Sequence, residues 1–354
     1  MLQPLGPSGC RAAPSPRLVC FGNAVLVAFG SAALVRSGKV GVPRSSRLGI
    51  EVVPVRRLRA GGLLWPAGGS GIMPHMPELP EVETIVRAYR PRLEGRRITA
   101  YTSRWARQAR PSVAAVRRGV VGRRIERLGR RAKYIVFALA GPRGRDRGYL
   151  LVHLRMSGRF EWAADPEKGR HRHVRAWFDL DDGNRLLLCD SRKFARIAYT
   201  TDLDAATEHL GIEPLGGALT AGRLERLLRA RARQLKPLLL DQSIVAGLGN
   251  IYADEVLFAA GLHPRTRSNE LAPAQVRALR KAIRAVLRKA IRHNGTSIDW
   301  IYPDGGMEQY LKVYGRAGQP CPVCGTPIER LRVAQRSTHV CPRCQPCGGG
   351  VANM

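Results

Sequence analysis

Two cysteine pairs near the C-terminus constrain the fold of this chain more tightly than any other feature. Cys321-Pro322-Val323-Cys324 and Cys341-Pro342-Arg343-Cys344 are separated by sixteen residues. Each pair offers two thiolates at the bite that tetrahedral Zn²⁺ takes, and four thiolates leave no open coordination position. The spacing therefore predicts one structural zinc held by Cys321, Cys324, Cys341 and Cys344, with a hairpin between the knuckles. Arg330, Arg332 and Arg336 lie on that hairpin and suit it to a phosphate backbone. Cys347 is a nearby spare read as a tail residue, and Cys10, Cys20 and Cys189 have no evident partners, so the pattern is that of a metal site in a reducing compartment and not of a disulfide scaffold.

The chain has 354 residues, enough for two or three domains with cores of their own. Its 59 Lys+Arg against 27 Asp+Glu give a formal net charge of +32, which points to a polyanionic partner, nucleic acid ahead of an anionic membrane surface. Residues 1–75 stand apart: eight arginines and Lys39 face one acid, Glu51. An apolar run from Leu18 to Val35 is interrupted by Gly22, Asn23 and Gly30. Signal or anchor, organelle transit peptide, and sequence upstream of the true start are the competing readings, and the last is favoured.

From Pro77 onward the texture becomes globular. Glu81 to Tyr89 reads as an amphipathic helix with Val82, Ile85, Val86 and Tyr89 on one face. Strands are predicted at 97–101, 134–139, 149–154, 174–180 and 185–189, separated by turns such as Asp181-Asp182-Gly183-Asn184. This is a β-rich sandwich domain over 76–205. The period then turns helical over 206–310. Thr220 caps a helix through Leu224, Leu227 and Leu228, and a short helix runs from Leu235 to Asp241. Gly247-Leu248-Gly249-Asn250 turns into a helix at Ile251–Phe258, and a longer one extends from Pro273 to about His293. A glycine turn before a helix exposes N–H groups that can hold an anion. The zinc hairpin takes 311–346 and a tail 347–354. The fold class is α+β and multidomain.

Met76-Pro77-Glu78-Leu79-Pro80-Glu81 carries the chemistry. If Pro77 were the N-terminal residue, it would be a secondary amine that titrates far below a lysine, beside a carboxyl able to shuttle its proton. Acylated within a longer chain, the same nitrogen is an amide without an available lone pair. Removal of methionine before proline makes initiation at Met76 the expected start.

Met76–Thr84, Arg131-Ala132-Lys133-Tyr134, Gly249-Asn250-Ile251-Tyr252-Ala253, and the ribbon with Gln335-Arg336-Ser337-Thr338 together resemble the formamidopyrimidine-DNA glycosylase family. The likeness spans Met76 to about Gln345, and Leu79 is closer to its oxidised-purine branch than to the endonuclease VIII branch. It implies an N-terminal β-sandwich with flanking helices, a helix–two-turn–helix domain and a zinc β-hairpin, with duplex DNA in the cleft. It also implies a base-excision repair glycosylase and abasic-site lyase acting on oxidised purines through a Schiff base at Pro77, followed by β,δ-elimination. Glu78 becomes the proton donor and Lys133 an essential phosphate or sugar contact. Glu81 forms the site floor, and Lys236, Asn250 and Arg336 meet the phosphates around the flipped nucleotide. Met156, Arg192 and Phe194 fill the vacated stack, and His171 and His173 contact the DNA backbone. Structural zinc is the one cofactor implied. A monomer in the bacterial cytoplasm, at the nucleoid and away from membranes, completes the expectation.

One departure affects substrate. Residues 296–310 stand where typical members carry a loop that caps 8-oxoguanine, but the segment is shorter and differently composed. Formamidopyrimidines and abasic sites therefore rank ahead of 8-oxoguanine. The alternatives are an endonuclease VIII-type pyrimidine glycosylase, a non-catalytic binder of damaged DNA if residues 1–75 are retained, and a zinc-ribbon RNA-binding protein.

Overall fold

The computed structural model describes residues 76–141, 144, 146–164, 173–296 and 305–347, together with three short strands nearer the N-terminus. The chain divides into two compact units, Met1–Gly69 and Ser70–Met354. In the first, β1 (Arg17–Phe21), β2 (Ala24–Phe29) and β3 (Ala32–Leu34) form an antiparallel meander. The described parts of the apolar run from Leu18 are thus extended. No helix among the described residues is long and apolar enough to cross a membrane.

The second unit opens with α1 (Leu79–Leu93), which carries Pro80 in its first turn, where a missing N–H costs nothing. The sandwich follows. One sheet orders as β4 (Ile98–Ser103), β10 (Val174–Leu180), β11 (Arg185–Asp190) and β9 (Gly158–Ala163). The other orders as β5 (Ala109–Arg110), β12 (Arg196–Thr200), β8 (Arg147–His153), β7 (Tyr134–Ala140) and β6 (Arg124–Arg131). Helix α2 (Val113–Val120) closes one side, its N-terminus capped by the Ser112 side chain. The inner faces meet in one core that includes Phe137, Phe160 and Phe178, with Val82, Ile85 and Val86 of α1.

The alternating strands fall where the sequence places them, but β6, β9, β12 and α2 do not announce themselves there. In β6 only Ile125 and Leu128 are buried among arginines, because a bulge between Ile125 and Arg127 breaks the two-residue period.

After α3 (Leu203–Thr207) the chain is helical: α4 (Ala221–Arg229), α5 (Leu235–Leu240), α6 (Asn250–Ala259) and α7 (Pro273–Arg292). The Thr220 hydroxyl accepts from the Arg223 amide at 3.2 Å, as the capping pattern requires. Helix α6 is buried from Ile251 to Phe258 and forms the centre of this core. Leu79 of α1 packs into the same core. Helix α1 therefore belongs to both domains, and its first residues lie at their seam. Finally β13 (Glu329–Val333) and β14 (Arg336–Val340) form an antiparallel hairpin, turned by Ala334 and Gln335, both at positive φ.

Candidate active site

The site is assembled where the start of α1 meets the start of α6. The Glu78 side chain reaches across the seam and takes the backbone N–H groups that begin α6. Its Oε2 accepts from Gly249 at 2.6 Å and from Tyr252 at 3.4 Å, and its Oε1 accepts from Ile251 at 2.9 Å. A carboxylate suits that place, since a helix N-terminus presents unsatisfied donors and a positive dipole end. Gly249 is required by the close approach: a Cβ there would lie 2.4 Å from Cδ of Glu78. Burial nonetheless dominates and raises the Glu78 pKa from 4.5 to about 7, against the lowering pull of Lys133 and the amides. Glu78 can therefore hold a proton at neutral pH. Pro77 is buried immediately beside it, its nitrogen in this chain forming the amide with Met76.

Glu81 lies one turn on and is occupied entirely by protein. Its Oε2 accepts from the Glu78 amide at 2.9 Å. Its Oε1 accepts from the Tyr252 hydroxyl at 2.5 Å and from the amide and hydroxyl of Thr296 at 2.8 and 3.1 Å. Gly295, at φ +73°, passes so close that a Cβ would lie 2.6 Å from Oε1. Glu81 thus lies buried beneath Glu78, with protein donors on both of its oxygens. Tyr252 and Thr296, which fix it, were not singled out from sequence. A buried tyrosine in a hydrophobic helix gives no hint of which acid it will meet.

Lys133 is presented by the two-residue turn between β6 and β7, with Ala132 at φ 53°. Glu213 fastens that turn: its Oε2 accepts from the Ala132 amide at 3.0 Å, and both its oxygens pair with Arg130 and Arg131. The Lys133 side chain is 4% exposed. Burial lowers its pKa, the charges of Glu78 and Glu81 oppose that, and Arg336 and Arg155 reinforce it. Arg155 follows on the next strand end, exposed and in the left-handed region at φ 56°. Neighbouring His153 is pushed down to about 3 by burial and by the Arg155 and Lys133 charges, so its ring is neutral. Its Nδ1 accepts from the Arg155 amide at 3.0 Å.

Arg336 is exposed at the first position of β14. Asn250 opens α6, half-buried. Met156 and Arg192 are half-buried on two adjacent loops, with Arg192 Nη1 3.9 Å from the Met156 sulfur, and Phe194 is 45% exposed. His173 is half-buried before β10, and His171 lies outside the described residues.

Lys236 sits in the interior. It is fully buried, with Nζ 2.6 Å from Asp254 Oδ1 and bonds to the Ser337 carbonyl at 2.7 Å and the Thr338 hydroxyl at 2.9 Å. Asp254 Oδ2 in turn accepts from the His339 amide at 2.9 Å. These residues fasten the zinc hairpin to α5 and α6. A phosphate would have to displace a buried ion pair to reach this ammonium.

In the hairpin, the four sulfurs of Cys321, Cys324, Cys341 and Cys344 lie within 4.8 Å of one another, with Cys321–Cys344 at 3.8 Å and Cys324–Cys341 at 3.4 Å. Edges of this length match a tetrahedron of thiolates about 2.3 Å from one Zn²⁺. Knuckle amides of Val323 and Cys344 point at the sulfurs of Cys321 and Cys341. The residues fit a structural zinc.

A sandwich, a helical domain opened by a glycine turn, and a four-cysteine hairpin define a three-part architecture, and family models match each part. The formamidopyrimidine-DNA glycosylase N-terminal domain matches residues 76–197, its H2TH domain 210–301, and the zinc finger found in FPG and IleRS 318–346. The chain belongs to the formamidopyrimidine-DNA glycosylase family. Formamidopyrimidine-DNA glycosylase of Chloroflexus aurantiacus is 44% identical over 277 residues, covering 76% of this chain and 98% of that one. The Symbiobacterium thermophilum protein of that name is 44% identical over 287 residues, covering 78% and 92%. Among solved structures, Lactococcus lactis Fpg in complex with abasic-site DNA superposes with TM-score 0.70 at 33% identity, over 76% of this chain and all of that one.

Proposed function

We propose that the protein is a DNA glycosylase and abasic-site lyase that excises oxidised purines from duplex DNA. The observation that carries this reading is the Glu78 carboxyl, locked against the α6 N-terminus beside Pro77 and protonated up to about pH 7. In a chain beginning at Pro77, the amine lone pair attacks C1′ of the lesion nucleotide, and the glycosidic electron pair leaves with the base, which takes up a proton. Glu78 delivers its proton to the sugar ring oxygen as the ring opens, leaving an iminium between Pro77 and C1′. Loss of a C2′ proton expels the 3′-phosphate, and a second elimination expels the 5′-phosphate. The Lys133 and Arg336 charges favour the phosphates that accumulate negative charge. Met156, Arg192 and Phe194 fill the space left by the flipped nucleotide.

Relatives support the substrate class. Lactococcus lactis Fpg has been solved with an N7-benzyl-Fapy-dG DNA and with an oxidised-pyrimidine DNA, at TM-score 0.71 in each case. The lesion panel should therefore include both. Formamidopyrimidine and abasic duplexes are expected to outrank 8-oxoguanine because of the altered 296–310 segment. One structural zinc, no other cofactor, and domains over 76–205, 206–310 and 311–346 complete the reading.

The test is borohydride trapping on an abasic duplex, comparing chains that begin at Pro77 and at Met1. A covalent adduct with the first and none with the second is expected. Pro77→Gly should trap far more slowly. Equal trapping by both chains would overturn Pro77 as the nucleophile, and no trapping by either would favour a non-catalytic damage-binding protein.

A further inference from the structure

Three connections that cross between the two sheets gather at one end of the sandwich. They are the β8–β9 loop with Met156, the β11–β12 loop with Arg192 and Phe194, and the β4–β5 loop with Trp105. A single buried carboxylate joins the first two. Asp190 is 0% exposed. Its Oδ1 accepts from the Ser157 hydroxyl and, at 3.1 Å, from the Arg192 amide; its Oδ2 accepts from the Ala195 amide at 2.7 Å. The Ser157 hydroxyl lies 3.3 Å from the same Arg192 amide. Both ends of the Arg192–Phe194 segment are thus tied to one side chain, and the Met156 loop to the same oxygen as the first end.

The third loop grips the segment from outside. Lys193, at φ 62°, directs its ammonium over the Trp105 ring at 4.5 Å, and the Arg107 guanidinium lies 5.7 Å from that ring. A non-glycine residue in the left-handed region costs energy and persists only when its surroundings hold it. Here hydrogen bonds hold it on one side and a cation–π contact on the other.

We propose that Asp190, together with Trp105 acting through Lys193, positions the insertion loop, so that Met156, Arg192 and Phe194 enter the duplex as one preformed unit. The proposal rests on the reading of those three side chains as fillers of the vacated stack. Asp190 and Trp105 are positioning residues: they act through the loop that they hold, Asp190 by its hydrogen bonds and Trp105 by its contact with Lys193.

The experiment uses the full chain and an uncleavable duplex, with a tetrahydrofuran abasic analogue opposite 2-aminopurine. The fluorescence of that base reports the filling of the stack beside it. A single strand bearing the same analogue has no orphaned base and needs no filler. With Trp105→Ala, and with Asp190→Asn, duplex affinity should fall on the order of tenfold and the fluorescence response should be largely lost, with single-strand affinity unchanged. Asp190→Glu should fail to restore the response, since one added methylene displaces the carboxylate from three donors. Trp105 is half-buried, so its variant decides the question if Asp190→Asn does not fold. Met156→Ala/Phe194→Ala serves as the reference. If the reference is silent and Trp105→Ala keeps the wild-type response, both readings fall. If the reference abolishes the response and Trp105→Ala keeps it, the positioning role alone is overturned.

Discussion

At the scale of single residues, the decisive feature is a carboxyl whose ionisation the fold opposes. Glu78 has its pKa raised from 4.5 to about 7, chiefly by burial. A raised carboxyl pKa means the folded state prefers the protonated form. Its stabilising contribution is complete below about pH 4.5 and is lost as the pH rises through about 7. Thermal melts of the wild type and Glu78→Gln should therefore diverge in one direction: the variant gains relative to the wild type between pH 5 and 8. Lys133 lowers the Glu78 pKa, so Lys133→Met should extend that divergence to higher pH, with its onset near pH 4.5 unchanged. A pH-independent difference between the melts would show that Glu78 does not titrate in this range.

At the scale of elements, the site is made by bringing one helix start against another. The start of α1 supplies Glu81 and the residues just before it, Pro77 and Glu78; the start of α6 supplies the amides of Ile251 and Tyr252, and Gly249 just before it supplies a third. The Gly249→Ala variant places a methyl group into Glu78 and should reduce base excision on the order of a hundredfold, as a displacement of about 1 Å does. Gly129→Ala is the matched control, because a Cβ at Gly129 meets nothing within 4 Å, and its kinetics should be those of the wild type. Equal excision rates in the two variants would remove the cradle from the mechanism.

At the scale of the molecule, two of the features on which the zinc hairpin depends are a metal inside it and an ion pair that ties it to the helical domain. One is the metal: six residues, Phe258, Val313, Cys321, Ile328, Cys341 and Cys344, make up the buried core there, too small to persist without the ion. Chelation should release zinc, lower duplex affinity through loss of Arg336, and leave the sandwich's far-ultraviolet β-sheet signal intact. The other is the Lys236–Asp254 pair, fully buried on both sides. Lys236→Met strands a buried carboxylate and should cost about 3–5 kcal/mol. Lys236→Met/Asp254→Leu should cost less, and denaturant titration of the two variants checks the order.

The sequence by itself determined the parts whose chemistry is local. Two C-x2-C pairs specify a tetrahedral thiolate site wherever they fold, strand and helix periods mark the elements with one clean apolar face, and Pro77-Glu78 sets an amine precursor beside an acid. The tertiary structure decided everything that depends on which side chain meets which. It paired Lys236 with Asp254 and sealed Glu81 under Tyr252 and Thr296. It also brought Arg155 toward Lys133 and made Asp190 the tie between two loops. Apart from Asp190 and Ala195, these partners are 18 to 215 residues apart in the chain. No local pattern encodes such meetings, because burial, dielectric and hydrogen-bond geometry arise only when distant segments close on one another.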